Sequence, residues 1–310
     1  MTQPQHKTGF QNTPVLGVGL GLRTALLEQT LNASDRLGWV EITPENFMAK
    51  GGLAQHRLQQ AQAVFPLVPH GVATSIGSTD PWDEQYLRSL EQLFTQISPP
   101  WFSDHLCFSS INSLYFNDLI PLPRTKATIN HLVSRIQYLQ DRFQLPFLIE
   151  NPSYYMEYPQ NTMSEVAFLT RIAEEADCGL LLDVNNIFVN GHNHQWADVL
   201  KDNAQNYLNE LPLERVVQIH VAGHAEYPER LIDTHGAAVK DVVWQILDEV
   251  LSRCTPSGIM LERDLNIPDF IELEPELSRI TQLWTKHYGT PPTAATLYNT
   301  DSQPKALCPL

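Results

Sequence analysis

Apolar positions along the chain fall into two alternating rhythms. Short β-rich runs lie at 15–22, 39–42, 67–73, 101–108, 146–149, 179–184, 216–221 and 258–261, and each is followed by a longer stretch with helical spacing. The helical candidates are 24–32, 53–64, 84–96, 126–143, 164–176, 195–209, 240–253 and 270–287. Several open on start signals: Asp83 precedes Glu84, and Ser164 precedes Glu165 with apolar residues at Val166, Phe168, Leu169 and Ile172. Strands separated by helices predict parallel pairing, because a parallel neighbour needs a crossover long enough to hold a helix. An open doubly wound sheet accepts the same alternation, and Gly17, Gly19 and Gly21 lie inside the first run rather than in a turn after it. Eight successive units make a closed barrel the economical solution. The expected fold is α/β, a single (β/α)8 barrel over 15–287, with polar tails at 1–14 and 288–310.

Composition narrows the class. A chain with 43% hydrophobic and 18% charged residues has the balance of a globular protein with a sizeable core. Twenty Lys and Arg against 35 Asp and Glu leave a formal charge of -15, so a polyanion meets net repulsion and no nucleic-acid partner is expected. No apolar run approaches the roughly 20 residues of a membrane helix, and residues 1–10 lack the apolar centre of a signal peptide. The expectation is a cytoplasmic protein with no membrane contact. Cys107, Cys178, Cys254 and Cys308 are scattered without a Cys-x-x-Cys pair and read as reduced thiols.

In a barrel the C-terminal strand ends share one mouth, so the residues there are read together. His70 lies in the third strand run, His105 in the fourth, and Glu150 closes the fifth. Asp183, Asn185 and Asn186 close the sixth, His220 lies in the seventh, Asp233 and His235 in the loop beyond it, and Glu262 at the end of the eighth. Carboxylates gathered in one mouth repel each other unless cations neutralise them, and several metal ions turn that repulsion into coordination. Imidazole and carboxylate without thiolate suit iron, zinc or manganese.

Seven motifs in unbroken order carry a resemblance. They are Gly-Val-Gly-Leu-Gly-Leu-Arg at 17–23, Ser-Asp-His-Leu at 103–106, Glu-Asn-Pro-Ser at 150–153, Leu-Leu-Asp-Val-Asn-Asn at 181–186, Ile-His-Val-Ala-Gly-His at 219–224, Asp-Thr-His at 233–235 and Leu-Glu-Arg-Asp at 261–264. Together they resemble the multinuclear non-haem iron-dependent oxidative enzymes related to the methanobactin and bufferin biosynthetic oxidases. The resemblance implies a triosephosphate-isomerase-type (TIM) barrel of the xylose-isomerase-like kind, two or three irons per chain and dioxygen as co-substrate. It also implies oxidation of cysteines in a ribosomally made precursor peptide, and a small partner protein that holds the peptide leader.

The ligand order is also similar to that of trinuclear zinc endonucleases, and that likeness divides the site. It implies one metal on His70, His105 and Glu150, a second on Glu150, Asp183, His220 and Glu262, and a third on Asn186, Asp233 and His235; His220, Glu150 and Asp183 are the expected catalytic residues. Asn186 stands where the endonucleases place a histidine, so the third metal is expected to be looser. Thr43 stands where many oxidase relatives have histidine and is expected to alter the pocket only. Arg23 is a candidate for a peptide carboxylate or for Glu41, Glu45 and Asn46 for groups behind the ligands, and Asp264 for orienting a ligand histidine. His192, His194 and His224 are loop candidates for gating or proton transfer, and Trp82, Tyr154, Tyr155 and Phe188 for a peptide groove. Two other functions fit the same residues: a zinc-dependent phosphodiesterase or endonuclease, and a non-catalytic metal-bound subunit that presents peptide.

Overall fold

The computed structural model describes residues 9–299 except 113, 197, 198 and 200–203. Eight parallel strands close into a barrel: β1 (Gly17–Gly21), β2 (Trp39–Ile42), β3 (Leu67–Gly71), β4 (Phe102–His105), β7 (Phe147–Glu150), β8 (Gly179–Asp183), β9 (Val216–Val221) and β12 (Gly258–Leu261). The seam is β1 against β12, with Gly17 opposite Gly258 and Leu20 opposite Leu261. The protein is therefore a TIM barrel. Two antiparallel hairpins that periodicity did not predict rise from it: β5 (Phe108–Ile111) with β6 (Leu114–Ile120), and β10 (Ala225–Tyr227) with β11 (Arg230–Ile232).

The helices follow their sequence signals. They are α1 (Leu27–Leu31), α2 (Gly52–Gln62), α3 (Glu84–Ile97), α4 (Lys126–Phe143), α5 (Glu165–Ala176), α6 (Val184–Asn193), α7 (Gln205–Glu210), α8 (Asp241–Leu251), α9 (Phe270–Tyr288) and α10 (Ala294–Asn299). Asp83 caps α3 by accepting from the amides of Gln85 and Tyr86, and Ser164 caps α5 through the amide of Ala167. The helix expected at 195–209 is partly replaced. α6 begins directly at the end of β8, because the Asp183 side chain accepts from the amide of Asn186 and starts a helix where a loop was expected. Residues 197, 198 and 200–203 of that expectation lie outside the described residues.

Strand periodicity builds the barrel interior in layers. Trp39, Val68, Leu148, Leu181 and Met260 belong to one buried cluster, which Phe10, Leu16, Trp101 and Val217 complete. Each of those five strand residues lies two positions before Glu41, His70, Glu150, Asp183 or Glu262, so period two puts the apolar layer and the ionisable layer on the same inner face. Gly19 makes this possible: a Cβ there would lie 2.4 Å from Cε2 of Trp39. The indole nitrogen of Trp39 donates to the Gly17 carbonyl at 3.1 Å, and that of Trp101 to Gln218 Oε1 at 2.7 Å.

Both ends are more structured than their polarity predicts. Phe10 is buried in the lower cluster, and the Thr13 and Ser257 hydroxyls are 2.7 Å apart. In the expected C-terminal tail, α10 packs against the base of the barrel. Its Ala294 amide donates to Leu37 O at 2.7 Å and its Ala295 amide to Ser34 O at 2.9 Å. These short segments are recruited by backbone hydrogen bonds to neighbouring loops, which leave no apolar period to read. Residues 1–8 and 300–310, including Cys308, lie outside the described residues. Among the described residues no helix is long and apolar enough to cross a membrane.

Candidate metal centre

The strand register brings the expected residues into one cluster. His105 is opposite Glu150 across β4 and β7, and Asp183 is opposite His220 across β8 and β9. His70, Glu150, Asp183, His220 and Glu262 are all buried. A cavity of ≈ 700 Å³ opens on His70, Glu150 and Glu262 and is also lined by His105, Asn186, Asp233, His235 and Asp264.

Hydrogen bonds around the cluster determine which ring nitrogens face inward. His105 Nδ1 lies 3.2 Å from the Gly71 carbonyl, which can only accept, so the proton sits on Nδ1 and the Nε2 lone pair points into the site. His70 Nδ1 lies 2.9 Å from the Ser103 hydroxyl, which accepts its proton and leaves Nε2 facing inward too. The two Nε2 atoms are 3.3 Å apart, and each lies within about 3 Å of Glu150 Oε2, at 3.0 Å from His70 and 3.1 Å from His105. With neutral imidazoles three lone pairs thus converge on one point, which is repulsive unless a proton or a metal cation occupies it. Ligands about 2.1 Å from a divalent ion stand about 3.0 Å apart across a right angle, which matches this triangle.

A second convergence sits beside it. Trp101 fixes the Gln218 amide through its oxygen, so the Gln218 nitrogen donates to Glu41 Oε2. His220 Nε2, 2.9 Å from the same oxygen, donates to it as well. In the neutral ring His220 Nδ1 is then a bare acceptor, and it lies 2.9 Å from Glu262 Oε2 and 3.3 Å from Glu150 Oε1. These contacts lack hydrogen-bond alignment: Glu150 Oε2, Asp183 Oδ2, His220 Nδ1 and Glu262 Oε2 are buried polar atoms without a hydrogen-bond partner. Atoms of Glu150, Asp183, His220 and Glu262 lie within 4.8 Å of one another. Buried acceptors left without donors are the signature of a site that binds cations. The donor set fits a divalent metal.

The third group is arranged differently from the expected one. Asn186 donates to the Asn151 carbonyl at 3.2 Å, which turns its own buried and unpartnered oxygen toward the cavity. His235, held at a left-handed φ of 47°, lies between two sets of carboxylates. Its Nε2 is 2.7 Å from Asp233 Oδ1, and its Nδ1 is 3.2 Å from Glu262 Oε2 and 3.1 Å from Asp264 Oδ2. The compact group here is His235 with Glu262 and Asp264. Both Asp233 oxygens already accept hydrogen bonds, Oδ1 from Asn185 at 2.9 Å and Oδ2 from Ser153 at 3.2 Å.

Without a cation, protons and ion pairs must balance the charge. Burial disfavours the His105 imidazolium, but Glu150 and Asp104 outweigh it and raise its pKa to about 9. Burial would raise Glu150, yet His105, His70 and His220 hold it well below the usual carboxylate range. Asp183 goes the other way: burial, with Asp233 and Glu150 adding repulsion, pushes it well above that range. Carboxylates in one site are thus split by environment, Glu150 held low by its histidines and Asp183 pushed high by burial.

The remaining candidates separate. Arg23 pairs with Asp264 and donates through Nε to the Arg263 carbonyl at 3.1 Å. Glu45 holds the loop after β3, accepting from the amides of Val72 and Ala73 and from Tyr86 OH. His224 donates to Asn185 Oδ1 at 2.7 Å and so connects to Asp233 through that amide. His194 stacks on Tyr154, Phe188 packs beside His224, and Trp82 lies under the Arg135 guanidinium; none of these lines the cavity. Sequence reasoning missed Glu41 as the partner of His220, and Gln218 and Ser103 entirely. The available signal was a carboxylate inside the otherwise apolar run of β2.

Residues 17–285 match the family described as RiPP precursor modification enzyme MbnB/TglH/ChrH. A UPF0276 protein of Haemophilus influenzae is 38% identical over 302 residues, covering 88% of this chain and 96% of that protein. A UPF0276 protein of Neisseria meningitidis serogroup B is 39% identical over 272 residues, covering 86% and 95%. Among solved structures, endonuclease IV from Thermus thermophilus superposes with a TM-score of 0.54 at 14% identity, over 87% of this chain and 99% of its own. A D-tagatose 3-epimerase-like protein gives 0.55 at 11% identity, over 87% and 98%. At such identities the likeness shows a shared barrel fold.

Proposed function

The chain belongs to the MbnB/TglH/ChrH family of RiPP precursor modification enzymes, and from that premise we propose that it is an iron- and dioxygen-dependent oxidase acting on a cysteine of a precursor peptide. We assign one iron to His70, His105 and Glu150, a second to Glu150, Asp183, His220 and Glu262, and a looser third to Asn186, Asp233 and His235, with Asp264 also in reach. Iron held there supplies a Lewis acid for the substrate thiolate and one-electron chemistry with dioxygen. The peptide arrives with a small leader-binding partner protein, in the cytoplasm, where thiols such as its cysteine stay reduced.

The protein's own part is placement and charge. Glu41 and Gln218 orient His220 from below, and Ser103 and Gly71 orient His70 and His105 from the sides. Glu150 faces both groups and keeps them at fixed separation. Asp183 Oδ2 is the carboxyl oxygen that can hold a proton before cations enter and release it as they do. The observation that carries the reading is the convergence of the bare His70, His105 and Glu150 acceptors at 3.0–3.3 Å.

The test is a reaction of iron-loaded protein with a cysteine peptide encoded beside it, its partner and dioxygen. The expected result is an iron-dependent mass change that disappears with Cys→Ser in the peptide and with His220→Ala in the protein. Cleavage of a phosphodiester by zinc-loaded protein, with the peptide unchanged under iron and dioxygen, would replace this reading by a hydrolase.

A further inference from the structure

Acidic groups dominate the cavity over the metal centre, where Glu41, Glu150, Asp233, Glu262 and Asp264 all contribute to its wall. Two arginines line it as well. Arg23 is neutralised by Asp264. Arg57, on α2, is different: its Nη1 donates to the Thr24 hydroxyl at 3.3 Å, and among the described residues no carboxylate lies within ion-pair distance of it. Most arginines of this chain, of net charge -15, do hold a carboxylate, among them Arg36, Arg124, Arg142, Arg215, Arg253 and Arg279. The Arg57 guanidinium therefore lines a cavity that is rich in the opposite charge, yet among the described residues it forms no ion pair.

The same cavity wall also carries neutral hydrogen-bonding groups. Thr24, Thr43 and Asn46 line the same space, and neither the Thr43 hydroxyl nor the Asn46 amide has a side-chain hydrogen bond among the described residues. A guanidinium with free donors, in a cavity wall that also carries hydroxyls and an amide, is a receptor for a planar anion. One unpaired positive charge matches a monoanion. A phosphate dianion would face the same five carboxylates with a single free cation to offset them.

We propose that Arg57, with Thr24, Thr43 and Asn46, forms a subsite for a carboxylate of the peptide substrate, which holds the cysteine over the metal centre from the opposite end. The proposal rests on the peptide-oxidase reading above and adds the chemistry that positions the substrate. It also moves the peptide-carboxylate role suggested for Arg23 to Arg57. The carboxylate has two sources, a C-terminus at the cysteine or an acidic side chain next to it, and the subsite treats both by the same contact.

Binding tests this without turnover. The full chain, loaded with zinc, is titrated calorimetrically with N-acetylcysteine, N-acetylcysteinamide and the amidated peptide acetyl-Cys-Asp. Wild type is expected to bind at least one of the two acids about tenfold tighter than the neutral amide, as one charge-assisted pair provides. The preferred acid identifies the source. Arg57→Gln should abolish the preference while N-acetylcysteinamide binds within about twofold of wild type, and Arg57→Lys should keep part of it. An unchanged thermal midpoint shows that the variants are folded. Equal binding of acids and amide by wild type, including no binding of any, overturns the proposal, as does equal weakening of all probes by Arg57→Gln. A chain that shows the acid preference but never oxidises peptide would lose the oxidase reading and keep the subsite.

Discussion

Glu41 and His220 meet at 2.9 Å inside the barrel, with the imidazole Nε2 donating to the carboxylate and Nδ1 left bare toward Glu150 and Glu262. A buried carboxylate behind a histidine fixes its tautomer and raises its basicity, which is the arrangement found behind metal-ligating imidazoles. Glu41 also accepts from Gln218, so the carboxylate is held on two sides before any cation enters.

Glu41→Gln is expected to weaken metal binding about 10- to 100-fold while the chain stays folded, because the amide cannot receive both donors as an anion does. Competition with a chelator, read by metal content at fixed chelator concentration, measures the change. Affinity equal to wild type would show that His220 is oriented without Glu41.

Glu150 faces two groups of ligands, whereas Asn186 offers one neutral oxygen. Wild type purified anaerobically with iron should carry more than one iron per chain, and Glu150→Gln should lose more of it than Asn186→Ala. Elemental analysis of the three proteins decides the order. Equal losses would refute the shared role of Glu150.

Glu165 is half-buried under the loop after β7, where Tyr207 OH donates to its Oε1 at 3.0 Å and Asn190 to its Oε2 at 3.3 Å. Burial dominates these hydrogen bonds and raises its pKa from 4.5 to about 7. The folded state therefore binds the proton more tightly than the unfolded chain does. Its stabilising contribution is complete below pH 4.5 and is lost as pH rises through about 7. Glu165→Gln should flatten that slope and raise stability above pH 7 by up to ~3 kcal/mol, seen in denaturant titrations at several pH values. A variant with the same pH slope as wild type would exclude Glu165 as the cause.

Gly19→Ala should destabilise the barrel by about 1–3 kcal/mol, because the added methyl meets the Trp39 ring and has nowhere to move within a closed strand layer. Thermal unfolding of the variant, with Gly9→Ala as a control near the chain end, measures it. No loss of stability would mean that the indole can shift.

The alternation of β-rich and helical segments determined the barrel, because eight parallel strands with helical crossovers have few other ways to bury both faces of the sheet. The identity of the residues at the strand ends followed from the same reading, since strand periodicity alone places His70, Glu150, Asp183 and Glu262 two positions after an apolar inner residue. The sequence could not show that Asp183 starts α6, because one side chain both ends a strand and caps a helix only once the backbone direction is known. Nor could it pair Glu41 with His220 or Asp264 with His235, residues that lie 179 and 29 positions apart. Those contacts exist because barrel closure brings β2 across from β9 and lays the loop after β11 over the end of β12. Ring tautomers, bare lone pairs and the unpaired charge of Arg57 are properties of that closed geometry, in which each donor's direction depends on a partner from another strand or helix.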